Sequence, residues 1–218
     1  MEQEIRARSK NIKLVEEKRE VILSAAVSVF LEKGYQKTTM RDIADAAGMV
    51  SGNIYNYIGS KDDILHLMCL SGKKSIENWK RALNSLKGKN STDKLAQGIR
   101  TFFEVVSNSS NSLIFFNREI LSFSHEDRAI LLVSIVEYVK LFEKLIREGI
   151  KKGEFETDSP FILAHNIVTL GYNWVYQRWY LRHFCTFEDY TNQQIQILTK
   201  SLAHPKTRSM SSKNNKSK

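Results

Sequence analysis

The sequence is poor in the residues that interrupt or cross-link a chain. Its 218 residues include only 2 prolines, 10 glycines and 2 cysteines, Cys69 and Cys185. So few turn-forming residues exclude the many short connections of a β-sandwich or barrel and favour an all-α chain. Two cysteines cannot supply a disulfide framework, so we expect a reducing compartment, the cytoplasm.

Long apolar runs and enzyme motifs are missing too. No stretch approaches the about 18 consecutive apolar residues of a membrane-spanning helix, and the charged amino terminus lacks the apolar core of a secretion signal. The sequence contains no Gly-rich phosphate loop, no Gly-x-Ser-x-Gly elbow and no paired metal-ligand spacing. We therefore expect no membrane partner, no enzymatic activity, no cofactor and no metal site.

The formal net charge of +9 is unevenly distributed. Residues 1–61 and 62–202 each carry a net charge of only +2, whereas residues 203–218 carry +5 and no acid. This last segment has no apolar periodicity and predicts a disordered basic tail, either solubilising or phosphate-binding. Basicity alone is therefore weak evidence for a nucleic-acid partner.

Apolar residues recur at helical spacing and predict about nine helices. In the amino-terminal part we expect a helix over 17–33 ended by Gly34, a short one opened by Thr39, and a recognition helix over 52–58. Further helices are expected over 61–86, 92–108, 112–122, 160–183 and 187–203. Another helix is expected to begin at a cap at Ser124 and to end at Lys152. On the helix that ends at Lys152, Val133, Val136 and Val139 are expected to face inward.

The two short helices joined at Gly48 fit a helix-turn-helix, in which the second helix enters the major groove. Glycine at the joint supplies the positive φ of the turn. A small helical bundle without DNA binding has the same elements, and spacing alone leaves that alternative open.

The segment 18–67 resembles the amino-terminal domain of the tetracycline-repressor (TetR) family. The most specific part is the run IYNYIGSKDDIL, residues 54–65. Gly59 departs from the pattern, because the family usually has lysine or another polar residue there. The resemblance implies an amino-terminal arm and helix-turn-helix DNA-binding domain over 1–61, a ligand-binding and dimerisation domain over 62–202 and, after them, the tail 203–218. The expected basic arm carries Arg6, Arg8, Lys10 and Lys13, with a solvated charged terminus as the alternative.

The resemblance also implies residue roles on double-stranded operator DNA. The start of the second helix faces the backbone or an adjacent base: Thr39, Met40 and Arg41. The recognition helix faces the major groove with Ser51, Gly52, Asn53 and Asn56. Phosphates are bound by Tyr55, Tyr57 and Lys61.

In proteins of this family the carboxy-terminal domain binds a small effector, and the last two long helices form a homodimer. The aromatic stretch 171–180 is similar to the branch that responds to acyl-coenzyme A thioesters, in which an apolar tunnel holds the acyl chain and cations bind the phosphates. The candidate ligand-binding residues are Phe115, Phe116, Arg118, Trp174, Arg178 and Trp179. For each aromatic, plain core packing remains the alternative.

The function expected from the sequence is thus a ligand-responsive regulator, a repressor by default. Two alternatives remain open. One is a multidrug-type sensor of hydrophobic cations, which would need a buried carboxylate, with Glu104, Glu119 and Glu137 as candidates. The other is a helical interaction module without specific DNA binding.

Overall fold

The computed structural model describes residues 11–85 and 90–202, and this part of the chain forms eight α-helices, two 3₁₀ turns and no β-strand. The all-α fold is confirmed, with eight α-helices where about nine were predicted. The helices are α1 (Ile12–Lys33), α2 (Met40–Ala46), α3 (Lys61–Asn84), α4 (Ser91–Asn108), α5 (Ser110–Glu119), α6 (His125–Lys151), α7 (Pro160–Leu181) and α8 (Phe187–Leu202). The 3₁₀ turns are Ile54–Asn56 and Ile120–Ser122. None of these helices is long and apolar enough to cross a membrane. The predicted tail, 203–218, lies outside the described residues.

The helix ends follow the capping signals of the sequence. At α2, the backbone N–H of Asp42 donates to Oγ1 of Thr39 (3.1 Å), and the N–H of Thr39 donates to Oδ2 of Asp42 (2.8 Å). Thr186 and Asp189 form the same reciprocal pair before α8, with both distances 3.1 Å. Gly34, at φ +82°, ends α1. These starts and stops are set by residues within one turn of the boundary.

The chain divides into two compact units, and unit 1 contains the described residues up to Lys74 together with 109–132. In it α1 packs against α2 and α5 around a single apolar core. The fully buried side chains of this core include Ile22, Phe30, Ile43, Ile54, Ile58, Ile64 and Phe115. Helix α5 thus belongs to unit 1, although it falls within the predicted domain 62–202. The domain boundaries are divisions by function and stay a prediction.

Unit 2 contains the described residues between 75 and 108 and those from Val133 to Leu202. Helix α4 packs against α7 and α8. Trp79, Phe102, Tyr138 and Phe142 form an aromatic centre with ring centroids 4.8–5.9 Å apart. At Gly171 a Cβ would lie 2.7 Å from the ring of Phe102, so the absence of a side chain lets α7 approach α4 closely.

Two residues expected to face inward are exposed. Val133 is 59% and Val136 39% exposed, whereas Val139, Phe142 and Ile146 are buried. The prediction counted in steps of three residues, and each such step drifts about 60° around a helix of 3.6 residues per turn. Val133 therefore lies about 120° from Val139, on a different face of α6.

Candidate nucleic-acid interface

The turn after α2 has the predicted geometry. Gly48 adopts φ +65°, and its N–H donates to the carbonyl oxygen of Asp45 at 3.1 Å. The N–H of Met49 donates to the carbonyl oxygen of Ala44 at 2.9 Å. A side chain at Gly48 would meet no neighbouring atom but would strain this left-handed backbone. Glycine is therefore required here by conformation and not by space.

The recognition helix predicted over 52–58 is wrong as an α-helix. The structure has a single 3₁₀ turn over Ile54–Asn56, hereafter the recognition turn. Two of its bonds join residues three apart, from Asn56 N to Asn53 O (3.1 Å) and from Tyr57 N to Ile54 O (3.0 Å), and a third joins residues four apart, from Ile58 N to Ile54 O (3.1 Å). Gly52 and the branched or aromatic residues after it are weak helix formers, which explains why only one turn forms.

Polar side chains without partners surround the recognition turn. Asn53 and Tyr55 are exposed, Ser51 and Asn56 are half-buried, and Gly52 exposes its backbone. Within the described parts of the chain, none of these four side chains makes a hydrogen bond. Beneath them Ile54 and Ile58 are fully buried. The turn is therefore fixed on its apolar side and offers its amides and hydroxyls outward.

The start of α2 offers fewer groups than predicted. The Thr39 hydroxyl donates to Oδ2 of Asp42 at 2.6 Å, and Met40 packs against the core of unit 1. Lys33 donates to Asp42 at 2.7 Å, and this contact holds the pKa of the Asp42 carboxyl below its ordinary value. Arg41 is exposed, with its nearest carboxylate, that of Asp45, at 4.0 Å. Of the three predicted residues, Arg41 alone has a polar side chain that makes no hydrogen bond within the described residues, and Thr39 and Met40 would have to contact DNA from these positions.

Lys61 is bound to the backbone of the preceding loop. Its Nζ donates to the carbonyl oxygens of Tyr35 (2.8 Å) and Gln36 (3.4 Å) and lies 4.7 Å from the centroid of the Tyr35 ring. Burial, and secondly the hydrogen bond from the Tyr35 hydroxyl to Asp62, raise the pKa of Tyr35. Tyr57 packs in part against the core. The phosphate contacts of Lys61 and Tyr57 therefore stay predictions, and they would have to form from these positions.

Sequence reasoning missed Arg19, a half-buried residue of α1. Its Nε donates to the carbonyl oxygen of Tyr57, which ends the recognition turn, at 3.0 Å. The two residues are 38 positions apart, and no motif or periodicity links them. Only the fold could identify this contact.

Three of the predicted ligand-binding residues lie in unit 1. Phe115 is 0% exposed and stacks on Phe30 with ring centroids 5.0 Å apart. Phe116 is half-buried beside Phe115. Arg118 donates to the carbonyl oxygens of Leu31 (3.0 Å) and Phe30, at the end of α1. Here Phe115 is core, and Arg118 gives the last turn of α1 additional donors, at the Leu31 carbonyl and at the Phe30 carbonyl, which also accepts from the N–H of Gly34 at 2.9 Å.

The other three predicted ligand-binding residues lie in unit 2. Trp174 is buried against Phe187 and Tyr190, with ring centroids 5.5 and 5.2 Å away. Arg178 is exposed, and Trp179 is 70% exposed. Of these three residues, Trp174 alone is buried.

Comparison with known proteins agrees with this architecture. The family model "Bacterial regulatory proteins, tetR family" matches residues 22–68, and the model "Tetracyclin repressor-like, C-terminal domain" matches residues 88–183. The HTH-type transcriptional repressor KstR2 of Rhodococcus jostii is 30% identical over 196 residues, which cover 86% of this chain and 92% of that protein. The chain belongs to the TetR family. It is accordingly a transcriptional regulator and not an enzyme, as predicted.

The chain is also similar to a regulator of fatty acid metabolism and to a regulator solved with a coenzyme A thioester. The fatty acid metabolism regulator protein of Bacillus subtilis is 29% identical over 148 residues, covering 67% of this chain and 75% of that protein. A crystal structure of AibR in complex with isovaleryl coenzyme A and operator DNA superposes with a TM-score of 0.68 at 21% identity, covering 84% of this chain and 98% of AibR. At that identity the likeness to AibR concerns the fold.

Proposed function

We propose that this TetR-family regulator is a cytoplasmic repressor that binds a near-palindromic operator as a homodimer. The observation that carries the proposal is the set of unpartnered polar side chains on the recognition turn, Asn53, Tyr55 and Asn56. Side-chain amides pair well with adenine in the major groove, and a tyrosine hydroxyl can donate to a phosphate. Thr39, Met40, Arg41, Ser51, Gly52, Tyr57 and Lys61 complete the proposed contact surface.

The proposed dimer forms through α7 and α8. These helices and the residues just after α7 expose an unusual number of large apolar side chains: Phe161, Ile162, Tyr176, Trp179, Tyr180, Phe184 and Ile197. Exposed apolar surface of this kind marks an interaction site, and two copies related by a twofold axis would present the same patch to each other. A symmetric dimer also matches the symmetry of a palindromic operator.

The dimer proposal is tested by Trp179→Glu, which places a charge in the middle of this patch. We expect the variant to sediment as a monomer at micromolar concentration while the wild-type protein sediments as a dimer. Leu132→Glu is the matched control, because Leu132 is 62% exposed on α6, outside the α7–α8 patch. A dimeric Trp179→Glu variant would contradict the proposed interface.

The proposed effector is an acyl-coenzyme A thioester, bound in unit 2. Support comes from the enclosed aromatic residues around Trp79 and Trp174, and from the exposed cations Arg178 and Arg182. Nε1 of Trp79 is buried without a hydrogen-bond partner, and a polar group of a ligand could satisfy it. The names of the fatty acid metabolism regulator and of the AibR complex agree with this chemistry.

A sensor of hydrophobic cations is less well supported. Glu104 is exposed, Glu119 pairs with Arg118 at 3.2 Å, and Glu137 pairs with Lys80 and Lys140 at 3.3 Å each. None of these three candidates is a buried carboxylate without an ion-pair partner.

The proposed mechanism is a shift between an operator-binding state and a released state. The effector can change operator affinity only by its differential affinity for the two states. Lowering the population of the operator-binding state from 99% to 1% requires an effector that binds the released state about 10⁴-fold more tightly. Phe115 and Arg118, which contact the end of α1, and Phe116 beside Phe115 are proposed to respond to this change in unit 1 rather than to line the ligand.

The function is tested with a duplex selected from a random-sequence library by the full-length protein. We expect nanomolar binding of this duplex, release by isovaleryl- or palmitoyl-coenzyme A, and no release by coenzyme A alone. Release by tetraphenylphosphonium instead would favour the cation sensor. Failure to select any duplex would contradict operator binding and would favour the alternative of a helical interaction module without specific DNA binding.

A further inference from the structure

The recognition turn has few hydrogen bonds of its own to fix its direction. It is one turn long, and the side chain of Asn53 makes no capping bond at its start. A single 3₁₀ turn has poor hydrogen-bond geometry, so its orientation depends on neighbouring residues. Ile54 and Ile58 fix the buried side, and the N–H of Ile58 donates to the carbonyl oxygen of Ile54 at 3.1 Å, which leaves the Tyr57 carbonyl and the Gly59 amide to be bound by side chains.

Two side chains of opposite charge supply those contacts. Arg19, from α1, donates through Nε to the carbonyl oxygen of Tyr57 at 3.0 Å. Asp63, in the first turn of α3, accepts through Oδ2 from the N–H of Gly59 at 3.1 Å. Ser60 in turn caps α3 by accepting from the N–H of Asp63 at 3.0 Å. The loop after the recognition turn is thus bound at one carbonyl and one amide, two residues apart.

The two charged groups also act on each other. Partial burial lowers the pKa of Arg19, and the carboxylate of Asp63 opposes that effect by stabilising the charged guanidinium. A cation bonded to a carbonyl and a carboxylate bonded to an amide are both charge-assisted contacts, which are stronger than neutral ones.

Gly59 makes the Asp63 contact possible. A Cβ at position 59 would lie 2.9 Å from Oδ2 of Asp63 and would displace the carboxylate. Gly59, which departs from the family pattern, thus leaves the Asp63 carboxylate in place against its N–H.

We propose that Arg19 and Asp63 are positioning residues for operator recognition: they set the direction of the recognition turn without contacting DNA. This inference rests on the proposed function. It differs from a phosphate contact in one measurable way. A side chain that neutralises a phosphate adds about 0.9 to the slope of log K against log[salt], whereas a positioning residue adds nothing.

The first test compares Arg19→Met with Lys18→Met. Lys18 is the adjacent cation of α1 and, within the described residues, makes no hydrogen bond or ion pair. On the duplex selected by the wild-type protein we expect Arg19→Met to bind about 10-fold more weakly or worse, as loss of a charge-assisted hydrogen bond implies. Binding to a scrambled duplex and the salt slope on the selected duplex should not change, and Arg19→Lys should recover part of the loss.

The second test uses the sign of the effect. Removing a carboxylate near a polyanion should strengthen DNA binding if charge alone matters. We expect Asp63→Ala to weaken binding of the selected duplex, whereas Glu20→Ala, which removes an exposed acid of α1, strengthens it slightly or not at all. Asp63→Asn keeps an acceptor for Gly59 and should bind better than Asp63→Ala. It also keeps the test decisive if Asp63→Ala does not fold.

The outcomes separate the two proposals. A salt slope that falls by about 0.9 in Arg19→Met would make Arg19 a phosphate contact and overturn its positioning role. Unchanged selected-duplex binding in Arg19→Met, or tighter binding in Asp63→Ala, would also overturn it. Failure of the wild-type protein to select a duplex would instead overturn operator binding itself.

Discussion

Replacing Phe115 by alanine distinguishes a core residue from a ligand wall. Phe115 is fully buried, and four aromatic rings lie around it, at centroid distances of 5.0 Å (Phe30), 5.9 Å (Phe116 and Phe123) and 6.4 Å (Tyr35). Truncation of a buried phenylalanine costs about 3–5 kcal/mol, and we take the middle of this range, about 4 kcal/mol, for a site enclosed by four rings. At 1.4 kcal/mol per tenfold, the opening equilibrium of unit 1 should rise about 10³-fold.

Native-state hydrogen exchange measures this opening. We expect the amides of residues 22–30 in α1 to exchange about 10³-fold faster in Phe115→Ala, in the absence of any effector. Phe116→Ala is the matched control, since Phe116 is half-buried and should cost less. If α1 exchange were unchanged while acyl-coenzyme A affinity fell, Phe115 would line the ligand and its assignment to the core would be refuted.

Further variants and probes test other parts of the structure. Lys61→Met should lower stability by about 1.5 kcal/mol in thermal unfolding, because two carbonyls lose a cationic donor, and unchanged stability would contradict that role; a salt slope lower by about 0.9 would separately support the proposed phosphate contact. Thr39→Ala should cost about 1 kcal/mol in denaturant unfolding through loss of the α2 cap to Asp42, and an unaffected midpoint would contradict that role. Burial, and then Asp127, raise the pKa of the Cys69 thiol to about 12, so iodoacetamide at pH 8 should modify Cys185 well before Cys69. Because the folded state keeps this proton longer than the unfolded state, the associated stability is present below pH 9 and is lost as pH rises towards 12; equal labelling of both cysteines would refute the burial.

Local signals in the sequence predicted much of the fold. The end of α1 and the starts of α2 and α8 depend on residues within one turn, such as Gly34 and the Thr39–Asp42 pair, whereas α1 begins at Ile12, five residues before the predicted start. The positive φ at Gly48 likewise follows from the requirement of the turn. Such features can be read from sequence because their energies arise from contacts between near neighbours.

The remaining features depend on contacts between distant residues. Phe115 stacks on Phe30, and Arg118 donates to a carbonyl 88 positions away. The sequence shows the same apolar or cationic residue on α5 whether that residue lines a ligand or packs against α1. The length of the recognition turn was also not predictable from local signals. Its residues form helices weakly, and its position depends on burial of the Ile54 and Ile58 side chains in the core.

The most direct test of operator reading is the base preference of Asn53→Ala on the selected duplex. Asn53 is exposed beside the recognition turn, and its amide has no partner within the described residues. We expect discrimination to fall by about 1–3 kcal/mol at one base pair in each half-site, with binding at the other positions and to scrambled DNA unchanged. Equal weakening on every sequence, or no change at all, would contradict base reading by this turn.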